Sequence, residues 1–414
     1  MKISGFEVTT AGNRVRASAR VTWEDSARPE DTVFIETPDT VSPGVSANPH
    51  AFLLACIPPA LRYGERRVLL DAELCPVLKD GLVSAVAILH DWYYQGRRPP
   101  LRVEARALRR GLAEPTATRA GFFFSGGIDA YAALALNRQS FHDDHPYSIK
   151  DGILIFGLEQ DDPAKFEHVT EFLGRAARAC GLTLVPVYTN MYLPYRREDA
   201  RTGYDFWQLE FMGAALASVA HALSSRVSLA WIGATDSHRT LRPHGSHPLL
   251  DPSFGSGDVR IFHSGIALSR LEKTRLIAEW GTPLKHLRVC NHYARYERGV
   301  VNCGECEKCL RTKLAFLALD VLHEVAVFSN PDVTADMIER RVRITTDYKR
   351  ECYQELLAPL TRKGHQDIAR RLERKLKDYR RWGPVATNGK AQSLQRRVLR
   401  KLAHLARGGS LSGR

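Results

Sequence analysis

The strongest constraint on the fold comes from residues 119 to about 290, where short apolar segments alternate with longer segments of helical pattern. The apolar segments are residues 121–124, 152–156, 182–188 and 227–232. Strands that alternate with helices in this way form a parallel sheet with helices on its faces. The pattern therefore predicts an α/β fold, in which ligands bind at the carboxyl ends of the strands.

The first apolar segment ends abruptly in a glycine turn within the sequence GFFFSGGIDA. Ser125, Gly126 and Gly127 form the turn, and a helical pattern follows with Asp129 in its first turn. Glycine backbone can approach an anion closely, and a helix N-terminus adds partial positive charge. The turn matches neither GxxxxGK[ST] nor GxGxxG. It predicts a phosphate-binding loop, with a plain tight connection between strand and helix as the alternative.

Cysteine spacing points to a metal site. Four of the eight cysteines fall between residues 290 and 309, and they are Cys290, Cys303, Cys306 and Cys309. Thiolates two residues apart on tight turns can reach one tetrahedral ion, and a longer loop can add the fourth ligand. The spacing predicts a closed structural zinc site. An iron–sulfur cluster, His292 in place of one cysteine, and incidental buried cysteines are the alternatives.

Together, the SGGxDx turn and the later C…CGxCxxC array resemble the ATP pyrophosphatase superfamily, also called the PP-loop superfamily, and within it the 7-cyano-7-deazaguanine synthases. The resemblance covers about residues 119–320, and the last serine of the family's loop is replaced by Ala130. It implies a HUP-like doubly wound parallel sheet, zinc on the four cysteines, and Mg²⁺ binding assisted by Asp129. The residues that it implies for ATP are Ser125, Gly126, Gly127, Ile128 and Asp129.

The resemblance also implies roles for residues near the ends of later strands. Gly157 and Gly233 are expected beside the nucleotide, and Lys273 is expected to stabilise the leaving pyrophosphate. The acceptor substrate is expected at Asp236, His238 and Arg242. A polar surface loop and a solvated helix face are the alternatives for these two regions. A metal site built from histidines 238, 244 and 247 is less favoured, because nothing in the sequence fixes their geometry.

The function expected from the resemblance is adenylation of a carboxylate or amide oxygen, followed by attack of a nitrogen nucleophile. Similar enzymes with extra domains occur in antiphage gene clusters, so a specialised pathway is expected. Sulfur transfer is one alternative, for which Cys180 is the only nearby thiol. A catalytically degenerate ATP-binding scaffold is another.

Charge and composition complete the predicted organisation. We expect a smaller α+β accessory domain at residues 1–115, the ATP pyrophosphatase domain at 119–325 and a helical, basic extension at 326–414. From residue 361 onward there are 16 Lys/Arg and 3 Asp/Glu, which accounts for the whole net charge of +13. Such a segment binds nucleic acid or an acidic partner, or only aids solubility. Without an apolar run of about 20 residues or a signal-peptide pattern, we expect a cytoplasmic protein, with a homodimer as an option.

Overall fold

The fold is given by a computed structural model that describes residues 1–110, 119–158, 162–290, 292 and 300–383. The chain divides into two compact units. The first comprises Met1–Cys303 with Glu324–Ser329, and the second comprises Gly304–His323 with Asn330–Arg414. Residues 111–118, around the boundary between the first two predicted domains, and residues 384–414 of the predicted basic extension lie outside the described residues.

The first unit is built on one ten-stranded sheet. Its strands are β1 (Lys2–Ala11), β2 (Arg14–Thr22), β3 (Asp31–Pro38), β4 (Arg67–Leu74), β5 (Arg102–Leu108), β6 (Arg119–Phe123), β7 (Ile149–Phe156), β8 (Thr183–Thr189), β9 (Val227–Gly233) and β10 (Arg260–Ser264). Their spatial order is β10-β9-β6-β7-β8-β3-β2-β1-β4-β5. Most neighbouring strands are parallel, which confirms the predicted α/β class.

Strands β6 to β10 form the half of the sheet that the alternating pattern predicted. All of the pairings among these five strands are parallel, and each of the four predicted segments is a strand. From β6 the chain first adds β7 and β8 on one side and then returns to add β9 and β10 on the other. The order reverses between β6 and β9, so the residues that follow these two strands border a crevice suited to a ligand.

The first 108 residues extend the same sheet, an arrangement that the sequence pattern did not predict. β1, β2 and β3 pair antiparallel, while β4 and β5 continue in parallel beyond β1. β3 joins β8 through two antiparallel pairs, Ile35 with Thr189 and Glu36 with Tyr188. The side chain of Asn190 extends this junction, because it accepts the Phe34 N–H and donates to the Thr32 carbonyl. A shared sheet does not test whether either part folds alone, so the predicted domain limits stay a prediction.

Seven α-helices cover the sheet of the first unit in its described part. They are α1 (Pro49–Tyr63), α2 (Pro76–Tyr94), α3 (Ile128–Ser140), α4 (Pro163–Ala179), α5 (Leu193–Thr202), α6 (Met212–Ala222) and α7 (Arg270–Trp280). α3 packs on β9 and α7, and α4 packs on β7 and β8. In the sequence, residues 206–223 have a continuous helical pattern that predicts one helix. The structure begins this stretch as a π-helical turn at Trp207–Phe211 and continues it as α6.

The second unit is helical throughout its described part. Its helices are α8 (Glu307–Ala318), α9 (Ala335–Arg341), α10 (Asp347–Gln354), α11 (Leu357–Arg362) and α12 (Gln366–Trp382). α12 carries seven Lys/Arg and three Asp/Glu, and it buries Leu372 and Leu376. Glu339 pairs with Lys375 at 3.0 Å, so part of this positive charge is neutralised within the unit. Binding of nucleic acid or an acidic partner by this helix stays a prediction.

Candidate functional site

The glycine turn lies at the carboxyl end of β6, next to the point where the strand order reverses between β6 and β9. Gly126 adopts a left-handed conformation with φ +75°, and Gly127 precedes the first turn of α3 in an extended conformation. Ser125 is exposed, and its Oγ accepts the Gly127 N–H at 3.3 Å. Buried Ile128 begins the helix. The turn therefore presents a hydroxyl and a helix N-terminus at the edge where a doubly wound sheet binds its ligand.

Close packing explains the glycines in and around the turn. A Cβ on Gly126 would lie 2.6 Å from Leu173 Cδ2 and 3.2 Å from Arg288 Cβ. At the end of β9, a Cβ on Gly233 would lie 2.7 Å from the Asp129 carbonyl oxygen. The absence of a side chain at Gly233 thus lets β9 approach the first turn of α3.

Gly157 plays a similar packing role at the end of β7. Its φ is +96°, and a Cβ there would lie 1.7 Å from the carbonyl oxygen of Thr189. The need for glycine is therefore accounted for by the approach of the chain after β8. Nucleotide binding by Gly157 stays a prediction.

A carboxylate and two cations meet beside the turn. Asp129, in the first turn of α3, accepts hydrogen bonds from Arg270 Nη1 at 2.7 and 2.8 Å, one to each carboxylate oxygen. Lys273 Nζ lies 3.6 Å from Asp129 Oδ1 and donates to the Ala234 carbonyl at 2.6 Å. α7 supplies both cations because Arg270 and Lys273 are three residues apart and share one helix face. Lys273 was predicted for this position, and Arg270 was not.

Lys273 is almost entirely enclosed, with 1% of its side chain exposed. Burial lowers the pKa of Lys273 because desolvation penalises the charged ammonium, and the Asp129 carboxylate partly opposes this shift. Arg270 adds a second positive charge that lowers the pKa of Lys273 further. A polyanion near this end of α7 would favour the charged form of Lys273.

The same geometry bears on magnesium. Mg²⁺ takes oxygen ligands, usually one or two carboxylates with water and phosphate oxygens. Here both oxygens of Asp129 accept from Arg270, and a second cation lies beside them. Two positive groups repel a metal ion at this carboxylate, so Asp129 as placed does not fit a Mg²⁺ ligand.

The predicted acceptor segment follows β9, and its three candidate residues differ in environment. Asp236 is buried, its charge raises the pKa of Lys273, and its Oδ1 has no hydrogen-bond partner among the described residues. Arg242 is half-buried, and its charge partly opposes the rise in the pKa of the Tyr93 phenol that burial causes. The His238 side chain is exposed, and its backbone N–H donates to the Ile266 carbonyl. Asp236 and Arg242 thus face the interior, and His238 faces solvent.

The other two histidines of the segment are part of the packed interior. His244 and His247 are buried, and burial lowers the pKa of both imidazoles. The backbone N–H groups of Ser246 and Leu249 donate to their Nδ1 atoms. Across the described ranges, the four cysteines are the one group of three or more side chains placed to share a metal ion. The less favoured histidine metal site is therefore not formed.

The cysteine ligands converge as the spacing predicted. Their four sulfur atoms all lie within 4.8 Å of one another, and all four residues are buried. Cys290 Sγ and Cys303 Sγ are 3.6 Å apart, close to the edge of about 3.8 Å of a tetrahedron with zinc–sulfur bonds of 2.3 Å. Cys306 accepts the Cys309 N–H at 3.4 Å, an arrangement typical of a thiolate at a helix start. The four cysteines could hold a metal ion such as zinc.

Asn302 organises the segment before the first cysteine ligand, and the sequence pattern did not predict this role. Its side chain is completely buried, and its Oδ1 accepts the N–H groups of Val289 and Cys290 at 2.8 and 3.2 Å. Its Nδ2 donates to the carbonyls of Leu287 and Val327. The one sequence signal was its place next to Cys303.

No known family model matches the chain, and neither a curated protein nor a solved structure matches it. No helix in the described ranges has both the length and the apolar character to cross a membrane. The function therefore has to be argued from the site itself.

Proposed function

We propose that the chain is an ATP-dependent ligase that forms AMP and pyrophosphate, with a HUP-like fold and a structural zinc ion. The observation that carries the proposal is the position of the Ser125 turn. It lies where the strand order reverses, and two cations from α7 lie beside the same first turn of α3. The spatial order β8-β7-β6-β9-β10 is also that of doubly wound nucleotide-binding sheets.

In the proposed reaction, a carboxylate or amide oxygen of the acceptor attacks the α-phosphorus of ATP, and pyrophosphate leaves. The adenylated carbon is then attacked by ammonia or an amine, and AMP leaves to give an amide. An amide oxygen that is adenylated instead loses AMP to give a nitrile. The backbone N–H groups of the turn bind phosphate oxygens, and Arg270 and Lys273 offset the charge that develops on the leaving group.

Asp129 serves this scheme as the counter-ion that holds Arg270 and Lys273 at the turn. Asp236 and Arg242 are the proposed contacts to the acceptor, since both face the interior on the segment that follows β9. Mg²⁺ is expected to arrive with ATP, and no step depends on its coordination by Asp129.

Zinc is the proposed ion of the cysteine centre. A single tetrahedral ion keeps its four sulfur ligands on edges of about 3.8 Å. An iron–sulfur cluster places several atoms between the thiolates and spreads them further apart. The limit of 4.8 Å between all four sulfurs therefore favours one ion.

The two alternatives differ in support. Sulfur transfer needs a reactive thiol, but Cys180 is buried, and burial raises its pKa to about 11. A catalytically degenerate scaffold that binds ATP is the second candidate, because the carboxylate of Asp129 is engaged by two cations. Product analysis separates the scaffold from the ligase.

The test is incubation of the purified chain with Mg²⁺ and ATP labelled at the α-phosphate, with and without a small-molecule cell extract. We expect labelled AMP and unlabelled pyrophosphate in the presence of the extract. Arg270→Ala and Lys273→Ala are expected to abolish both products, and Arg275→Ala, an exposed cation of the same helix, is the matched control. ADP as the product, or tight ATP binding without turnover, would refute the ligase and favour the scaffold.

A further inference from the structure

Residues 287–290 connect the cysteine centre directly to the glycine turn. On the side of the turn, the Arg288 N–H donates to the Gly126 carbonyl at 2.8 Å, and Arg288 Nη1 donates to the Ser125 carbonyl at 3.0 Å. A single residue thus holds two consecutive carbonyls of the proposed phosphate-binding loop.

These two hydrogen bonds determine where the loop amides point. In a planar trans peptide, the C=O and the following N–H point in opposite directions. Because Arg288 holds the carbonyls of Ser125 and Gly126, the N–H groups of Gly126 and Gly127 are turned away from it. The Gly126 N–H is one of the groups that the proposed function assigns to phosphate, and the Gly127 N–H donates to Ser125 Oγ, the hydroxyl of the same loop.

On the other side, the connecting segment is fixed by Asn302. Its amide holds Leu287 through the carbonyl, and it holds Val289 and Cys290 through their N–H groups. Asn302 thereby binds the residues on both sides of Arg288. The next residue along the chain is Cys303, whose Sγ lies 3.6 Å from Cys290 Sγ. A metal ion bound by both thiolates would therefore hold Cys290 next to Cys303, while Asn302 holds the residues on either side of Arg288.

The contact with the turn is also tight in space. A Cβ on Gly126 would lie 3.2 Å from Arg288 Cβ, so the two backbones are nearly in contact. A displacement of Arg288 toward the turn would meet Gly126. A displacement away from the turn would break both hydrogen bonds to its carbonyls.

We propose that the metal of the cysteine centre fixes the glycine turn through residues 287–290, with Arg288 and Asn302 as positioning residues, and so sets the affinity for the nucleoside triphosphate. The effect on affinity rests on the proposed function. Coupling between two binding sites is reciprocal. Bound nucleotide therefore raises the affinity for the metal by the same factor by which the metal raises the affinity for nucleotide.

The experiment uses the full chain loaded with Zn²⁺, with α,β-methylene-ATP as the nucleotide probe. Nucleotide affinity and hydrogen exchange of the peptide at 121–130 are measured before and after zinc is removed with a chelator, and circular dichroism monitors the fold. We expect affinity to fall at least tenfold and exchange at 121–130 to accelerate, with both restored by added Zn²⁺. We also expect the probe to raise the affinity for zinc by a similar factor, measured by equilibrium competition with a chromophoric chelator.

The variant Arg288→Ala tests the same connection in a chain that still holds zinc, so the test does not depend on the metal-free chain staying folded. This variant is expected to retain zinc and its fold, to bind the probe more weakly and to exchange faster at 121–130. The substitution removes the side-chain hydrogen bond to Ser125 and keeps the backbone hydrogen bond to Gly126, so we also expect the effect of the probe on zinc affinity to weaken. Lys285→Ala, an exposed cation three residues earlier, is the matched control and is expected to behave as the unaltered chain.

The outcomes separate this inference from the proposed function. Unchanged exchange at 121–130 in both the folded metal-free chain and Arg288→Ala would overturn the inference, even if the probe binds. Accelerated exchange in a chain that never binds the probe would support the metal–turn connection and refute the nucleotide site.

Discussion

At the scale of single residues, Asp129 is the central residue of the candidate site. An aspartate after a glycine turn suggests a metal ligand when only the sequence is known, because the sequence does not show which side chains reach it. In the fold, Arg270 reaches both of its oxygens from a position 141 residues away, and Lys273 lies beside them. The carboxylate is therefore better placed to position cations than to bind a further one.

The first prediction follows from this arrangement. Asp129→Asn removes a negative charge beside Arg270 and Lys273, so both cations become more available to a polyphosphate. In buffer without added Mg²⁺, we expect the variant to bind ATP at least as tightly as the unaltered chain in a calorimetric titration. A tenfold loss of affinity seen only when Mg²⁺ is present would instead show that Asp129 ligates the metal.

Gly233 supports a second prediction at this scale. Gly233→Ala places a Cβ 2.7 Å from the Asp129 carbonyl oxygen, and backbone atoms yield only when α3 moves away from β9. We expect a loss of about 1–3 kcal/mol in the free energy of unfolding, together with weaker ATP binding. Gly174→Ala is the control, since its Cβ would meet nothing closer than 3.7 Å in the helix α4. There we expect a gain of about 0.5–1 kcal/mol, and equal effects of the two substitutions would contradict the packing argument.

At the scale of elements, α7 matters because it carries both cations from one cap. Ser269 accepts the Glu272 N–H at 3.2 Å, and Glu272 accepts the Ser269 N–H at 2.7 Å, which together form a capping box. Arg270 is the first residue after this cap, so its direction depends on the first turn. The cap thus links helix stability to the position of the cations.

Loss of this cap is the third prediction. Ser269→Ala should lower the free energy of unfolding by about 1 kcal/mol and weaken ATP binding severalfold, because the first turn of α7 frays. Thr346→Ala removes the equivalent N-cap bond of α10, in which the Lys349 N–H donates to Thr346 Oγ1. We expect a similar loss of stability from it without a change in ATP affinity. Denaturant titrations and ATP-binding measurements on both variants check this. An ATP affinity that is unchanged in Ser269→Ala would contradict the prediction.

Elements with a clear hydrophobic period were predictable, and long-range pairings were not. The four apolar segments became β6, β7, β8 and β9 because a buried parallel strand leaves an unbroken apolar run. The π-turn at Trp207–Phe211 was missed because an apolar helical pattern does not distinguish one wide turn from an α-helix. Asn302 and Arg270 were missed because their roles depend on partners that only the folded chain brings near. The cysteine spacing succeeded since three of the four ligands are local.

At the scale of the whole molecule, the candidate site and the main buried ion-pair cluster lie at opposite ends of the parallel strands. The glycine turn lies at the carboxyl end of β6. At the amino ends, Asp151 is fully buried and accepts from Arg119 at 2.7 and 2.9 Å and from Arg226 at 2.9 and 3.0 Å. Arg226 also donates to the Ser42 carbonyl, which joins the parallel half to the N-terminal residues.

The fourth prediction tests this division. Asp151→Ala leaves the buried guanidinium of Arg226 without its carboxylate, so we expect a loss of about 3–5 kcal/mol in the free energy of unfolding. ATP affinity of the folded variant should stay unchanged because the substitution lies at the opposite end of the strands. Asp143→Ala, whose carboxylate is 94% exposed beside Lys150, should cost less than about 1 kcal/mol. A change in ATP affinity larger than the change in stability would refute the separation.

The junction of β3 with β8 has a consequence for how the chain is made. About 145 residues separate the end of β3 at Pro38 from the start of β8 at Thr183, and ribosomes add roughly 5–20 residues per second. For about 7 to 30 s, the backbone edge of β3 therefore emerges into the cell before its partner strand exists. An unpaired strand edge is a template for association with other chains. The continuous sheet thus carries a risk of aggregation during synthesis that two separate sheets would avoid. We expect aggregation of the nascent chain to increase at high expression levels.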